Sequence, residues 1–206
     1  REGGPALAPP APLRPLRPEA LRDGVETLSW SPSAELSADE NGLDLALVLT
    51  RGNRCKGGSM GCVVVSPEGD ILACAMNSAL WHPINNVRPA SDLHAEINAI
   101  GHCASQGFST RGATAYITMP PCKRCFSVLC AAGFRRIVTR KRYNPQDSKD
   151  LFPVAVRDGI ELRIIFDTQV RQAQVEELAV RKRKRVEAPD DGEEPTVDAG
   201  AARAAA

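Results

Sequence analysis

A chain of 206 residues suits one domain with tails, or at most two small domains. A hydrophobic share of 43% is enough for a real core, while a net charge of +1 supplies no global attraction toward nucleic acid or an anionic membrane. Seven cysteines, odd in number and irregular in spacing, read as reduced thiols with some metal or catalytic use in a reducing compartment, and no stretch approaches the length of a transmembrane helix.

Residues 1–36 are rich in Pro, Ala and Arg without a sustained period, which predicts a disordered or linker segment. Arg1 in place of an initiating methionine suggests a fragment or processed form, and the acid-poor run before Glu19 also resembles the end of an organelle transit peptide. Ser37 and Glu40 have capping-box spacing ahead of Leu43, Leu45, Leu47 and Leu49, predicting a buried first helix. "CVVV" and "ILACA" flank "SPEGD", where Pro67 and Gly69 mark the turn of a hairpin. Residues 94–104 read as a helix, "TAYITM" as a third strand and 122–132 as a helix that Gly133 stops. "RRIVT" and "IELRIIF" read as two more strands, parallel and joined through a weak helix around "SKDLFPVAVRD". A last helix over 168–186 carries the basic run 181–185, and the acidic residues 187–206 are expected to be disordered. The layout predicts an α/β domain over 37–167: a mixed five-stranded sheet in three α/β/α layers, between disordered tails.

Within this pattern, "SDLHAEINAI" places His94 and Glu96 inside an otherwise apolar run. Further on, "MPPCKRCF" sets Cys122 and Cys125 in C-x-x-C spacing after Pro120 and Pro121, which favour a helix start. Residues three apart share a helix face, and backbone N–H groups at a helix N-terminus stabilise thiolates. His94 follows a turn-like "VRPASD" and is placed at the start of its own helix, so two helix starts can aim three ligands at one Zn2+. A structural zinc takes four protein ligands; three leave a position for water, whose pKa zinc lowers to about 7. Glu96 is then free to carry that water's proton to a substrate. Asn98 is expected to hydrogen-bond a loop, and His82 and His102 are read as ordinary polar residues.

H-x-E followed by P-C-x-x-C is the signature of the zinc nucleobase deaminases. From about residue 40 to 166 the chain resembles the cytidine and deoxycytidylate (dCMP) deaminase superfamily, with "HAEINAIGHCASQGFSTRGATAYITMPPCKRCFSVLCAAGFRRIV" most like the dCMP branch. The resemblance implies a cytidine deaminase-like fold, zinc on His94, Cys122 and Cys125, and Glu96 as proton shuttle. It also implies that Asn77 contacts the nucleotide and that the Ala95 N–H faces the pyrimidine carbonyl. Two departures are visible: "AMNSALWHP" stands where the branch carries G-Y-N-G, and "SDL" where it carries Arg-Thr before H-A-E. Arg140, Lys141 and Arg142, after the fourth strand, are candidates for holding a 5′-phosphate.

The expected reaction is hydrolytic deamination of a cytosine nucleotide, dCMP to dUMP plus ammonia, by a homo-oligomer acting on a small molecule. The alternatives are a tRNA adenosine-editing deaminase, with RNA gripped by the basic stretches, and a catalytically silent partner subunit. The run 181–185 suits nuclear import, so a cytoplasmic or nuclear location is expected, with an organellar one as the transit-peptide alternative.

Overall fold

A computed structural model describes residues 9–22, 30–52, 58–79 and 92–166 of the chain. They belong to one compact unit, residues 1–167; a second unit, 168–206, lies outside the described residues, and with it the expected C-terminal helix, basic run and acidic tail. Helix α1 (Ala38–Leu49) opens on the expected capping box, with Ser37 Oγ accepting from the Glu40 N–H and the Glu40 carboxylate accepting from the Ser37 N–H. Then come β1 (Gly61–Val65), β2 (Ile71–Met76), β3 (Ser78–Ala79) and β4 (Asp92–Leu93). The remainder is α2 (Ala95–Ser105), β5 (Thr114–Ile117), α3 (Lys123–Ala131), β6 (Arg136–Thr139), α4 (Pro145–Asp158) and β7 (Glu161–Ile164).

Five strands form one mixed sheet in the order β2-β1-β5-β6-β7, and β3 pairs with β4 in a small separate ladder. β1 runs antiparallel to both β2 and β5, whereas β5, β6 and β7 are mutually parallel, as strands joined by helical crossovers should be. Period-two alternation sorts the strand residues between two cores. Cys62, Val64, Ala115, Ile117 and Ile137 face α2, α3 and α4 with Phe126, Leu129 and Phe134. Val63, Val65, Tyr116 and Val138 face α1 with Leu43, Leu45 and Leu49. This is the three-layer α/β/α arrangement. Helix α1 lies close on the sheet because Gly42 has no side chain: a Cβ there would come within 2.6 Å of the Tyr116 ring.

The α1-side core contains a buried ion network. Arg136, 5% exposed on β6, forks onto both carboxylate oxygens of Asp39, itself 3% exposed in the first turn of α1. Arg136 Nε also donates to Glu161 on β7 at 2.9 Å, and the Tyr116 hydroxyl donates to Asp39 at 3.3 Å. Register explains the meeting, since Thr114, Arg136 and Glu161 lie abreast on three neighbouring strands.

Three elements differ from the sequence reading, the first being the short β3–β4 ladder, which stands where loop and turn were expected. The segment 1–36 was expected to be disordered, yet residues 9–22 lie along the domain. Leu13 and Ala20 are buried in the α1-side core, Arg14 and Arg17 pair with Asp70, and Leu21 bridges Cys74 on β2. The physical reason is that β2 is an edge strand, and an exposed edge is stabilised by whatever covers its unpaired backbone groups. Gly69 permits the contact: a Cβ there would sit 2.2 Å from the Pro12 carbonyl oxygen. Helix α4 is also longer than the weak helix expected. Asn144 caps it, Pro145 occupies its first turn and Gly159 closes it at φ +65°. Pro153 inside it stands on the exposed side, where a carbonyl left without its N–H partner is open to water.

The fold gathers four backbone ends at one edge of the sheet: the start of β1, and the ends of β2, β5 and β6. Cys62 lies across from Ile117 and from Ala75, and Ile117 across from Thr139. Crevices outside the carboxyl ends of parallel strands are where open α/β sheets bind ligands.

Candidate metal centre and its cleft

His94 and Cys122 are the N-cap residues of α2 and α3, both in extended conformation, and neither side chain caps its own helix. Both are therefore free to bond elsewhere. Cys125, on the first turn of α3, is turned inward and only 2% exposed. The three converge: His94 Nδ1 is 3.3 Å from Cys125 Sγ and 3.8 Å from Cys122 Sγ, and all three donor atoms lie within 4.8 Å of one another. Zinc bonds of about 2.0 Å to nitrogen and about 2.3 Å to sulfur at a tetrahedral angle put the two ligand atoms roughly 3.5 Å apart. The observed separations bracket that value, so the donor set fits zinc in both chemistry and spacing. Burial and the neighbouring Glu96 carboxylate push the Cys125 thiol well above its ordinary pKa, so it is a thiol until a cation replaces its proton.

Glu96 is 5% exposed, in the first turn of α2 beside these ligands. Burial raises its pKa above the ordinary carboxylate value, while its own backbone, His94 and Cys125 pull the other way. A buried carboxyl whose pKa is raised by desolvation suits a role in proton transfer. Ala95 is fully buried at the first position of α2, where backbone N–H groups have no intrahelical partner.

These residues open onto a cleft of about 300 Å³ lined by Asn77, Asp92, His94, Ala95, Glu96 and Cys122, with Met60, Ile117, Met119 and Pro120 as apolar walls. That volume lies at the small end of small-molecule sites. Asn77, for which the resemblance implies a nucleotide contact, lines the cleft, but its amide is engaged with the loop before β1: it accepts from the Met60 N–H at 2.8 Å and donates to the Gly58 carbonyl at 2.9 Å. Asn98 bonds a neighbouring segment, donating to the Met76 carbonyl at 2.8 Å and to Ser78 Oγ at 3.1 Å. His102 is likewise occupied, its Nε2 2.8 Å from the Glu19 carbonyl. His82 and Trp81 lie outside the described residues.

Arg140, Lys141 and Arg142 are not brought to the cleft wall. They follow β6 on the same sheet edge, one strand over, and the Arg142 guanidinium stacks 5.2 Å from the Phe166 ring centre. Motif reading does not single out Asp92, Met60 or Met119. Asp92 had a signal, its offset of two from His94 in an extended segment; the methionines had none.

The sequence profile of the cytidine and deoxycytidylate deaminase zinc-binding region matches residues 36–141, the span that builds this centre. The chain belongs to that family. His94, Cys122 and Cys125 are the zinc-competent set within the family's zinc-binding region. Deoxycytidylate deaminase of Enterobacteria phage T4 is 37% identical over 54 residues, covering 26% of this chain and 28% of that protein. ComE operon protein 2 of Bacillus subtilis is 34% identical over 67 residues, 32% of this chain and 35% of its own length. These alignments therefore span well under half of either relative. Among solved structures, dCMP deaminase from the cyanophage S-TIM5 in complex with dCMP and dUMP superposes with a TM-score of 0.53 at 25% identity, covering 66% of this chain and 100% of that one. The likeness extends beyond the metal motif to the whole sheet with its helices.

Proposed function

We propose that this family member is a zinc-dependent hydrolytic deaminase of a cytosine nucleotide, converting dCMP to dUMP and ammonia. The observation that carries the reading is the buried Glu96 carboxyl beside the His94–Cys122–Cys125 set, opening onto a cleft sized for one small molecule. The names of the phage relatives and the nucleotides bound to the cyanophage enzyme support dCMP over other cytosine compounds. His94, Cys122 and Cys125 would hold the zinc ion, which would supply Lewis acidity and a water of lowered pKa.

The remaining steps fall to the chain's own groups. Glu96 takes one proton from the attacking water and passes it to N3 of the pyrimidine as the C4–O bond forms. It then moves the second water proton to the C4 amine, the C4–N bond breaks, and ammonia leaves a uracil that keeps its N3 proton. Ala95, at the start of α2, offers its N–H to the pyrimidine carbonyl. Asn77 holds the Gly58–Met60 loop against the cleft and presents its amide to the nucleotide. A homo-oligomer and a cytoplasmic or nuclear location belong to the same proposal, on family analogy and the 181–185 run respectively.

Ammonia release from dCMP, cytidine, deoxycytidine and a tRNA anticodon stem-loop, with zinc-loaded protein and Glu96→Gln as control, tests this reading. Turnover of dCMP, lost by about a hundredfold or more in the variant, is the expected result. Turnover of the stem-loop alone would replace it with RNA editing, and turnover of nothing by a zinc-loaded chain would make this a silent partner subunit.

A further inference from the structure

Asp92 is a carboxylate with a place in the cleft but no partner among the described residues. It lines the cleft wall, is half-buried, and its side chain has no hydrogen bond or ion pair among the described residues. Every other ionisable residue on the described wall has a role at the metal end: His94 and Cys122 as ligands, Glu96 beside them. No lysine or arginine stands among the described lining residues to neutralise Asp92. A partly desolvated acceptor left unpaired costs stability, and such a cost is recovered when a ligand donor completes it.

The backbone says which part of a substrate Asp92 would meet. Asp92 and Leu93 form β4, and His94 continues in extended conformation at φ −69°, ψ 150°. Residues two apart on an extended segment project to the same side, about 7 Å apart along the chain. Asp92 therefore stands on the His94 side of the segment, one such step away from the metal end. A cytosine whose C4 is at the metal end carries its sugar at the opposite side of the ring, about that far along. The register agrees, because Asp92 pairs with Ala79 on β3, one pair beyond Ser78 and Leu93, so the segment runs outward from the ligand.

We propose that Asp92 is a specificity-determining residue that accepts a hydrogen bond from the sugar 3′-hydroxyl of the substrate. This rests on the deaminase reading above. In a 2′-deoxynucleotide 5′-phosphate the 3′-hydroxyl is the one free hydroxyl of the sugar, so a lone acceptor at sugar distance has one donor to find. A carboxylate there also excludes the 5′-phosphate from that wall by charge, which orients the nucleotide. Asp92 holds no proton of the reaction, and its effect belongs in binding.

The test is a cycle of enzyme against substrate: zinc-loaded wild type, Asp92→Ala and Asp92→Asn, each with dCMP and with 2′,3′-dideoxycytidine 5′-monophosphate. Wild type should prefer dCMP by roughly ten- to a hundredfold in kcat/KM, as expected for a hydrogen bond to a charged acceptor. In Asp92→Ala the dCMP value should fall by that factor, through KM, while the dideoxy analogue, which already lacks the donor, falls much less. Asp92→Asn, which keeps an acceptor oxygen, should lie between. Calorimetric binding of the products dUMP and 2′,3′-dideoxyuridine 5′-monophosphate should show the same pattern without turnover. An equal fall for both substrates, or none for either, overturns the assignment of Asp92 while leaving the reaction standing. A wild-type chain that neither turns over dCMP nor binds dUMP overturns both.

Discussion

Replacing Arg136 with methionine tests whether the buried ion network on the α1 side holds the fold. Arg136 and Asp39 have side chains 6% and 4% exposed, and the guanidinium forks onto both carboxylate oxygens. Methionine fills most of the volume but leaves Asp39 with the Tyr116 hydroxyl and the half-exposed Arg163, whose Nε is 3.2 Å away. Removing one partner of a buried pair costs about 3–5 kcal/mol, because the remaining charge is left desolvated. Against a total stability of roughly 5–15 kcal/mol that is about a fifth or more, and it corresponds to a fall in Tm of roughly 6–20 °C. Urea denaturation and thermal melting of zinc-loaded protein measure it. The double variant Arg136→Met with Asp39→Leu should recover at least half the loss, since it removes the stranded charge. A loss under about 1 kcal/mol in the single variant, or a double variant no more stable than the single, would refute the argument that the network is a mutually dependent buried pair. Zinc content should stay unchanged throughout, because the network lies on the opposite face of the sheet from the α2 and α3 helix starts.

Two further outcomes follow from the same geometry. Cys125→Ala removes one of three donors; since losing a group that merely orients a ligand already weakens metal binding by about 10–100-fold, zinc affinity should fall by roughly a hundredfold or more, read by competition with a chromogenic chelator. An unchanged affinity would mean that the metal sits elsewhere. Leu13→Ala, at a position 7% exposed under the edge-covering segment, should cost about 2 kcal/mol in a urea titration, and hydrogen exchange should rise across residues 9–22. Full protection of those amides in the variant would show that the ion pairs to Asp70 suffice to hold the segment.

The metal-ligand set was legible in the sequence because each ligand is tied to a local signal. Pro120 and Pro121 announce a helix start at Cys122, C-x-x-C returns the second sulfur to the same face, and H-x-E marks the other helix start. The hairpin, the capping box at Ser37 and the parallel pairing of β6 with β7 were legible for the same reason, since turn chemistry, caps and crossovers are short-range rules. The N-terminal segment was not. Composition reads residues 9–22 as unable to build a core of their own, and that is correct as physics; they are ordered because β2 offers an unpaired edge and a greasy margin to cover. Asn77 was found in the cleft as expected, yet its amide is shared with the Gly58–Met60 loop, a partnership between residues 17 and 19 apart that no local pattern encodes.

What the sequence determined by itself was therefore the chemistry: one imidazole, two thiols and one carboxyl, carried by helix starts of a mixed α/β domain. Tertiary structure alone decided which other groups share their space. It put Asp92 on the cleft wall without a partner among the described residues, left the Arg140–Arg142 run off that wall, and met Arg136 with Asp39 across 97 residues of chain. The reason is that a ligand motif is fixed by bonds and helical pitch within a few residues, whereas a cleft is made where strands from four parts of the chain end together.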